Sequence, residues 1–505
     1  MKRTGMTPFC FCLFAGVAAA EPSLTVYNQN FAVVRDTIPL DLKPGVNEVR
    51  FDETTAHLEP DSVILRDPSG KIKLQILEQN YRNDPVSQEL LLSLFEGKTL
   101  DFVVKEPNKP DRTVQGKIIR SGYAAHSQQA MQRYGQRYYQ SQMAMAYGGG
   151  SSQPIIEVDG TIRFGLPGQP VFPSLGDATI LKPMLSWQLE ADKAGKLQAE
   201  LAYVTGGMSW EADYNIVMPE KSDQLDLTGW VTIDNQSGKT FENATIKLMA
   251  GDVSKLSPNA ELLGRRAEAN EVSSFEYKAK APVSEKAFDE YHLYTLQRPS
   301  TLRDRETKQV EFIRASDVGS QKIYLYDGAL INWSRWRGYD SENLRQNEGF
   351  GNESDTKVAV MREFKNSEAN HLGMPLPKGR VRFYMRDATQ LEFTGENVID
   401  HTAKDETVRV YTGNAFDLAG ERRRTNFKCD NSNHWLDESF EIKLRNHKKE
   451  PVEIRVVEHL YRWTNWEITE KTSDFTKTNA QTIEFRIALK PDEERTVSYK
   501  VHYSW

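Results

Sequence analysis

Ser439-Phe440-Glu441-Ile442-Lys443-Leu444 runs into Arg445-Asn446-His447-Lys448-Lys449-Glu450 and resumes as Val452-Glu453-Ile454-Arg455-Val456-Val457. Apolar and polar residues alternate on both sides of a polar connection centred on Asn446. A period of two sets one face of a strand on a core and the other in water. Asn tolerates the left-handed backbone that tight connections need. The pattern returns twice. Gly229-Trp230-Val231-Thr232-Ile233 passes through Asp234-Asn235-Gln236-Ser237-Gly238-Lys239 to Ala244-Thr245-Ile246-Lys247-Leu248, and Val358-Ala359-Val360 passes through Lys365-Asn366-Ser367-Glu368 to Val381-Arg382-Phe383-Tyr384. The last run alternates through Val497, Tyr499, Val501 and Tyr503. Such repetition predicts Ig-like β-sandwiches in series.

Upstream, short β-prone runs continue the theme: Leu24–Tyr27, Phe31–Val34, Asn47–Phe51, Ile72–Leu77 and Leu100–Val104, with turn residues such as Pro44-Gly45 between them. Only Pro85–Phe95 predicts a helix, with Leu91, Leu92 and Phe95 on one face. Residues 123–150 are rich in Gln, Tyr, Met and Ala, lack acids and end in Gly148-Gly149-Gly150. They cannot bury a core of their own and read as an insertion. Strands resume at Ile155–Val158 and Thr161–Phe164, and are expected to join those before the insertion in one small barrel. The predicted fold is mainly β: several β-sandwich and small β-barrel domains in series, with little helix. The expected divisions are a signal peptide at 1–20, a β segment at 21–60, a barrel-like domain at 61–200 interrupted at 121–153, and sandwiches at 201–360 and 361–505.

The first twenty residues place Lys2 and Arg3 before the short apolar run Phe9–Ala20, which ends in Ala18-Ala19-Ala20. This is the pattern of a cleaved secretory signal, and export to a periplasmic or extracellular location is expected. The apolar run is too short to span a bilayer, and no later stretch is long enough. Cleavage leaves Cys429 as the sole cysteine, so neither an internal disulfide nor a Cys-rich zinc site can form. The formal charge is −7, and removing Lys2 and Arg3 takes it to −9. An acidic chain of this kind is not a general nucleic-acid binder.

Catalytic signatures are approached and missed. Gly207-Met208-Ser209-Trp210-Glu211 ends in Glu where a nucleophile elbow needs Gly. Gly238-Lys239-Thr240 and Gly97-Lys98-Thr99 lack the first glycine of a P-loop. Trp435 occupies the turn-glycine position of a calcium loop over Asp430–Glu441. None of the nine histidines is paired at helical zinc spacing. No cofactor or metal is expected. The one charged cluster of interest holds Asp400, His401 and Asp405, candidate acid/base groups of a hydrolase acting on envelope or polysaccharide material; the competing reading is a solvated turn between strands. Trp333, Trp336, Trp463 and Trp466 are candidate binding aromatics, against the alternative of packing between sheets.

Longer words carry a resemblance. Tyr203-Val204-Thr205-Gly206-Gly207-Met208-Ser209-Trp210-Glu211-Ala212-Asp213-Tyr214 comes first, followed by Gly229-Trp230-Val231-Thr232, Gly251-Asp252-Val253 and Tyr291-His292-Leu293-Tyr294. Asn366–Asn370, Pro375-Leu376-Pro377-Lys378-Gly379, Tyr411–Asp417 and Asn465-Trp466-Glu467 complete the set. Together, over roughly residues 200–505, they resemble the bacterial domain-of-unknown-function family 4139. The resemblance implies an exported, β-rich bacterial protein and brings no activity or site residues with it. The expected role is that of a non-catalytic binding or scaffold protein with a cell-envelope protein or glycan as partner, and the alternative is the hydrolase.

Overall fold

A computed structural model describes residues 21–83, 86–105, 107, 109–123, 153–173, 180–219, 223–251, 283–288, 291–331, 334–387 and 390–505. The expected signal segment, most of the insertion and Trp333 lie outside these residues. The fold is mainly β, with several sheets, and the described residues include two short α-helices. They fall into two compact units. One holds the chain up to Trp210 together with Ile233–Lys308, and the other holds Glu211–Thr232 with Gln309–Trp505.

In the first unit, Val283–Phe288, Tyr291–Leu296, Phe241–Ala250, Ser23–Tyr27, Phe31–Leu42, Gly195–Gly206 and Ile64–Arg66 lie side by side in that order. Leu24 and Ile246 are partners in a parallel pair, and both are fully buried. A smaller sheet joins strands from both sides of the insertion: Lys117 pairs with Glu157, and Ile118 with Ile156. Leu92, Phe95, Phe102, Ile118 and Ile156 make its core. Leu92 comes from the helix Gln88–Leu94, whose start is capped where Ser87 Oγ accepts the Leu90 N–H at 3.1 Å.

In the second unit, Trp435–Asn446 turns every even-numbered residue inward. Leu436, Phe440, Ile442 and Leu444 meet Ile454, Val456, Ile483, Phe485, Val497, Tyr499, Val501 and Tyr503 in one core. The sheet therefore folds over so that Trp435–Asn446 and Glu494–Ser504 share an interior with Val452–His459 and Thr482–Leu489.

The recurring Asn is explained here, and the expected reason is replaced. Asn235, Asn366 and Asn446 are 0%, 0% and 1% exposed, and none has a left-handed backbone. Each instead uses its buried side-chain amide to hold loops together. Asn446 Nδ2 donates to the carbonyls of Glu450 (3.0 Å) and Lys490 (2.9 Å), while its Oδ1 accepts from Lys448 N–H. Asn366 does the same with Met374, Ala403 and the Gly373 N–H. Asn235 binds the Lys239 and Arg303 carbonyls and the Ser237 N–H. Left-handed residues stand opposite instead: Arg305 and Asp405 donate their N–H groups to the Asn235 and Asn366 carbonyls.

Candidate functional site

Asp400, His401 and Asp405 lie in an exposed connection. His401 Nδ1 accepts the Lys378 N–H at 3.1 Å, and Asp400 pairs with Lys378 at 3.3 Å. Leu376 and Thr402 exchange both backbone hydrogen bonds, and the Asp405 N–H bonds Asn366 O at 2.7 Å. Asp405 itself is left-handed, at φ 65°. These interactions are those of a loop tied to its neighbour.

The tryptophans lead elsewhere in the second unit. A segment around the short helix Ser341–Gln346 is pinned by arginines. Arg462 Nη1 donates to Leu344 O (2.9 Å) and Asn347 O (2.7 Å), and Nη2 to Phe350 O (2.8 Å). Arg422 Nη1 reaches Gly351 O at 2.9 Å, and Arg424 reaches Glu348 O. Behind this strap three of the arginines meet buried glutamates. Arg422 Nε lies 2.9 and 3.0 Å from the two oxygens of Glu458, which also accepts the Tyr499 hydroxyl at 2.5 Å. Burial and the Glu458 charge together push that hydroxyl well above its ordinary pKa. Glu438 serves both Arg462 (2.8 Å) and Arg424 (3.2 Å).

Trp336 is buried, edge-on to Phe350 at 5.4 Å, and Phe350 is edge-on to Tyr461. The Arg345 guanidinium carbon lies over the Trp463 ring, 3.8 Å from its centroid, and 4.7 Å from that of Trp505. Trp336 and Trp463 are thus part of the strap and its seat. Trp466 donates Nε1–H to Ala480 O at 2.9 Å, with Lys477 over its ring. At the margin of the buried charges, His459 Nε2 is 2.9 Å from Asp327 Oδ2 and its ring stacks on Tyr461. Hydrogen bonding to Asp327 raises the His459 pKa.

A surface that the sequence reading did not single out lies on the hairpin Gly379–Asp387 and Gln390–Ile399. Gln390–Ile399 is an end strand of its sheet. Cross-strand partners Tyr384/Phe393, Arg386/Leu391, Arg382/Glu396 and Arg380/Val398 share one face. Leu391, Phe393 and Val398 are more than half exposed, at 53%, 57% and 57%. Elsewhere in this unit Tyr411 is exposed, and Phe416 on the same strand is 100% exposed. Their apolar character was the available signal.

Residues 199–505 match the family described as Domain of unknown function (DUF4139). The chain belongs to this family. No curated protein matches the chain. Several residues of the longest family word have structural roles. Gly207 sits at φ 77°, where a Cβ would lie 2.8 Å from Gln236 O. Trp210 Nε1 donates to Met249 O at 3.1 Å. Asp213, 6% exposed, accepts from Arg380 Nε at 3.2 Å and from the Thr232 hydroxyl at 3.2 Å, while the Tyr214 hydroxyl caps Pro377 O. Ser209 lies within the strand Met208–Pro219, not on a strand-to-helix turn. These family residues hold backbone and neighbouring charges in place.

Proposed function

We propose that this family member is an exported, non-catalytic binding or scaffold protein of the bacterial cell envelope, and that it holds another envelope protein on the hairpin face of residues 379–399. The N-terminal pattern of positive residues, short apolar run and small residues supports export. The single observation that carries the binding role is the exposure of Leu391, Phe393 and Val398 along one face of a terminal strand. Large apolar groups gathered on one exposed face of a strand are a surface for docking a partner. Leu and Val interleaved with Arg380, Arg382 and Arg386 suit a protein surface with apolar and acidic groups; a sugar ring would call for flat aromatic platforms.

The test is affinity purification from envelope extracts with wild type, Leu391→Ser and Phe393→Ser. The expected result is one defined envelope protein that co-purifies with wild type, binds it again as a purified component, and is lost with both variants. The same partner on all three proteins would overturn the assignment of the face. So would loss of self-association alone in sedimentation, or binding only to glycans.

A further inference from the structure

Four arginines, Arg345, Arg422, Arg424 and Arg462, lie at the buried end of the second unit against two buried glutamates, Glu438 and Glu458. Three of the four are matched by those glutamates. Arg345 is not. It is 8% exposed, and its Nε is sealed from solvent without a hydrogen-bond partner. Among the described residues no carboxylate or carbonyl meets its guanidinium. The nearby Asp430 is turned to Asn433, accepting that residue's N–H at 3.0 Å and its Nδ2 at 2.9 Å. Glu348 faces Arg424. Trp463 and Trp505 take up positions against the cation at 3.8 and 4.7 Å, and they stabilise the charge through the ring faces. A contact with a ring face supplies no acceptor for the N–H donors of a guanidinium. The helix holding Arg345 is itself fixed from beneath, because Arg462 bonds the Leu344 and Arg345 carbonyls.

We propose that Arg345 is the recognition point for a compact oxyanion, a carboxylate or phosphate group, that enters edge-on between Trp463 and Trp505. A planar fork held against two indoles is preorganised for bidentate contact, and a guanidinium with no carboxylate partner favours an anion there. Gln346 and Asn431, bonded to each other at 3.0 Å, and Cys429, bonded to Asn431, border the place. This site is separate from the hairpin face and does not depend on it.

The experiment is thermal unfolding of the full chain titrated with sodium phosphate, sodium acetate and sodium chloride at matched ionic strength and pH. A saturable rise in Tm with phosphate or acetate, beyond that in chloride, is expected. Arg345→Gln should weaken the apparent affinity about tenfold or more, as loss of charge-assisted hydrogen bonds does, while Arg495→Gln, at an exposed arginine outside both sites, leaves it unchanged. Phosphate alone would name a phosphate ester as the ligand class, and acetate alone a carboxylate. Equal rises in all three salts, or an unaltered response in Arg345→Gln, would overturn the proposal. Should Arg345→Gln fail to fold, phenylglyoxal modification of the wild type decides: the effective anion must slow labelling of Arg345, and labelling at an unchanged rate rejects the site.

Discussion

Arg462 Nη2 lies 2.8 Å from Glu438 Oε1 inside the second unit, with the two residues 4% and 3% exposed. Removing Glu438 would strand Arg462 in a medium that solvates it poorly, whereas removing Arg462 would still leave Glu438 its contact with Arg424 at 3.2 Å. Removing Glu458 would likewise strand Arg422.

Replacing Glu458 by Gln should therefore lower the unfolding free energy by about 3–5 kcal/mol. The paired change Arg422→Met with Glu458→Leu should cost less than the single one, since no unmatched charge remains. Urea unfolding of the three proteins measures both. A loss under about 1 kcal/mol for Glu458→Gln would mean that water reaches the Arg422 guanidinium.

The loop-holding amides make a second case. Asn446→Ala deprives the Glu450 and Lys490 carbonyls of a donor and the Lys448 N–H of an acceptor. A cost of about 2 kcal/mol is expected, with a similar figure for Asn366→Ala. Wild-type urea midpoints in both variants would show that these amides do not secure the loops.

His459 gives the fold a pH dependence with a definite sign. Its pKa is raised in the folded state by Asp327. Its protonated form is therefore favoured by folding. That contribution is complete below the unfolded imidazole value of about 6.5 and disappears as the pH rises through the higher folded value. In His459→Gln the corresponding fall in Tm between mildly acidic and mildly alkaline pH should be missing. An identical Tm-against-pH curve would remove the Asp327 pairing as its source.

Gly420 faces the buried ring of Tyr326 so closely that a Cβ would lie 2.2 Å from it. Tyr326 is fully buried and donates its hydroxyl to Asp355 O at 2.7 Å, so the ring has no free direction in which to yield. Gly420→Ala should cost about 1–3 kcal/mol through overpacking, whereas Gly413→Ala, which meets nothing within 4 Å, adds no clash and strains only the backbone at φ 142°. Chemical denaturation of both tests the difference.

Alternation made the strands of the C-terminal region legible, because Leu436, Phe440, Ile442 and Leu444 follow one parity. The same parity contained the clue to the buried charges. Glu438 occupies an inward position in that series, and a charged residue in such a place needs a partner. Reading the polar connections as turns hid the work of Asn235, Asn366 and Asn446, since burial of a side-chain amide leaves no periodic trace. Nor does periodicity reveal which strands meet. Ala212 lies beside Gly379 in a parallel pair, an association set by tertiary packing across a long stretch of chain. The exposed Leu391 and Phe393 had the sequence look of core residues, and only a three-dimensional arrangement separates an inner from an outer face.

The family boundary at residue 199 falls inside the strand Gly195–Gly206, which is hydrogen-bonded to Phe31–Leu42 from Gly195/Leu42 through Gly206/Phe31. Beside Phe31–Leu42 lies Ser23–Tyr27, whose other neighbour, Phe241–Ala250, comes from within the family region. On the ribosome the earliest of these strands must wait for residues synthesised much later before its second edge is covered. Recombinant 199–505 would consequently emerge with raw sheet edges on what remains of Gly195–Gly206 and on Phe241–Ala250, and insolubility of that fragment would report a missing neighbour instead of a defective domain.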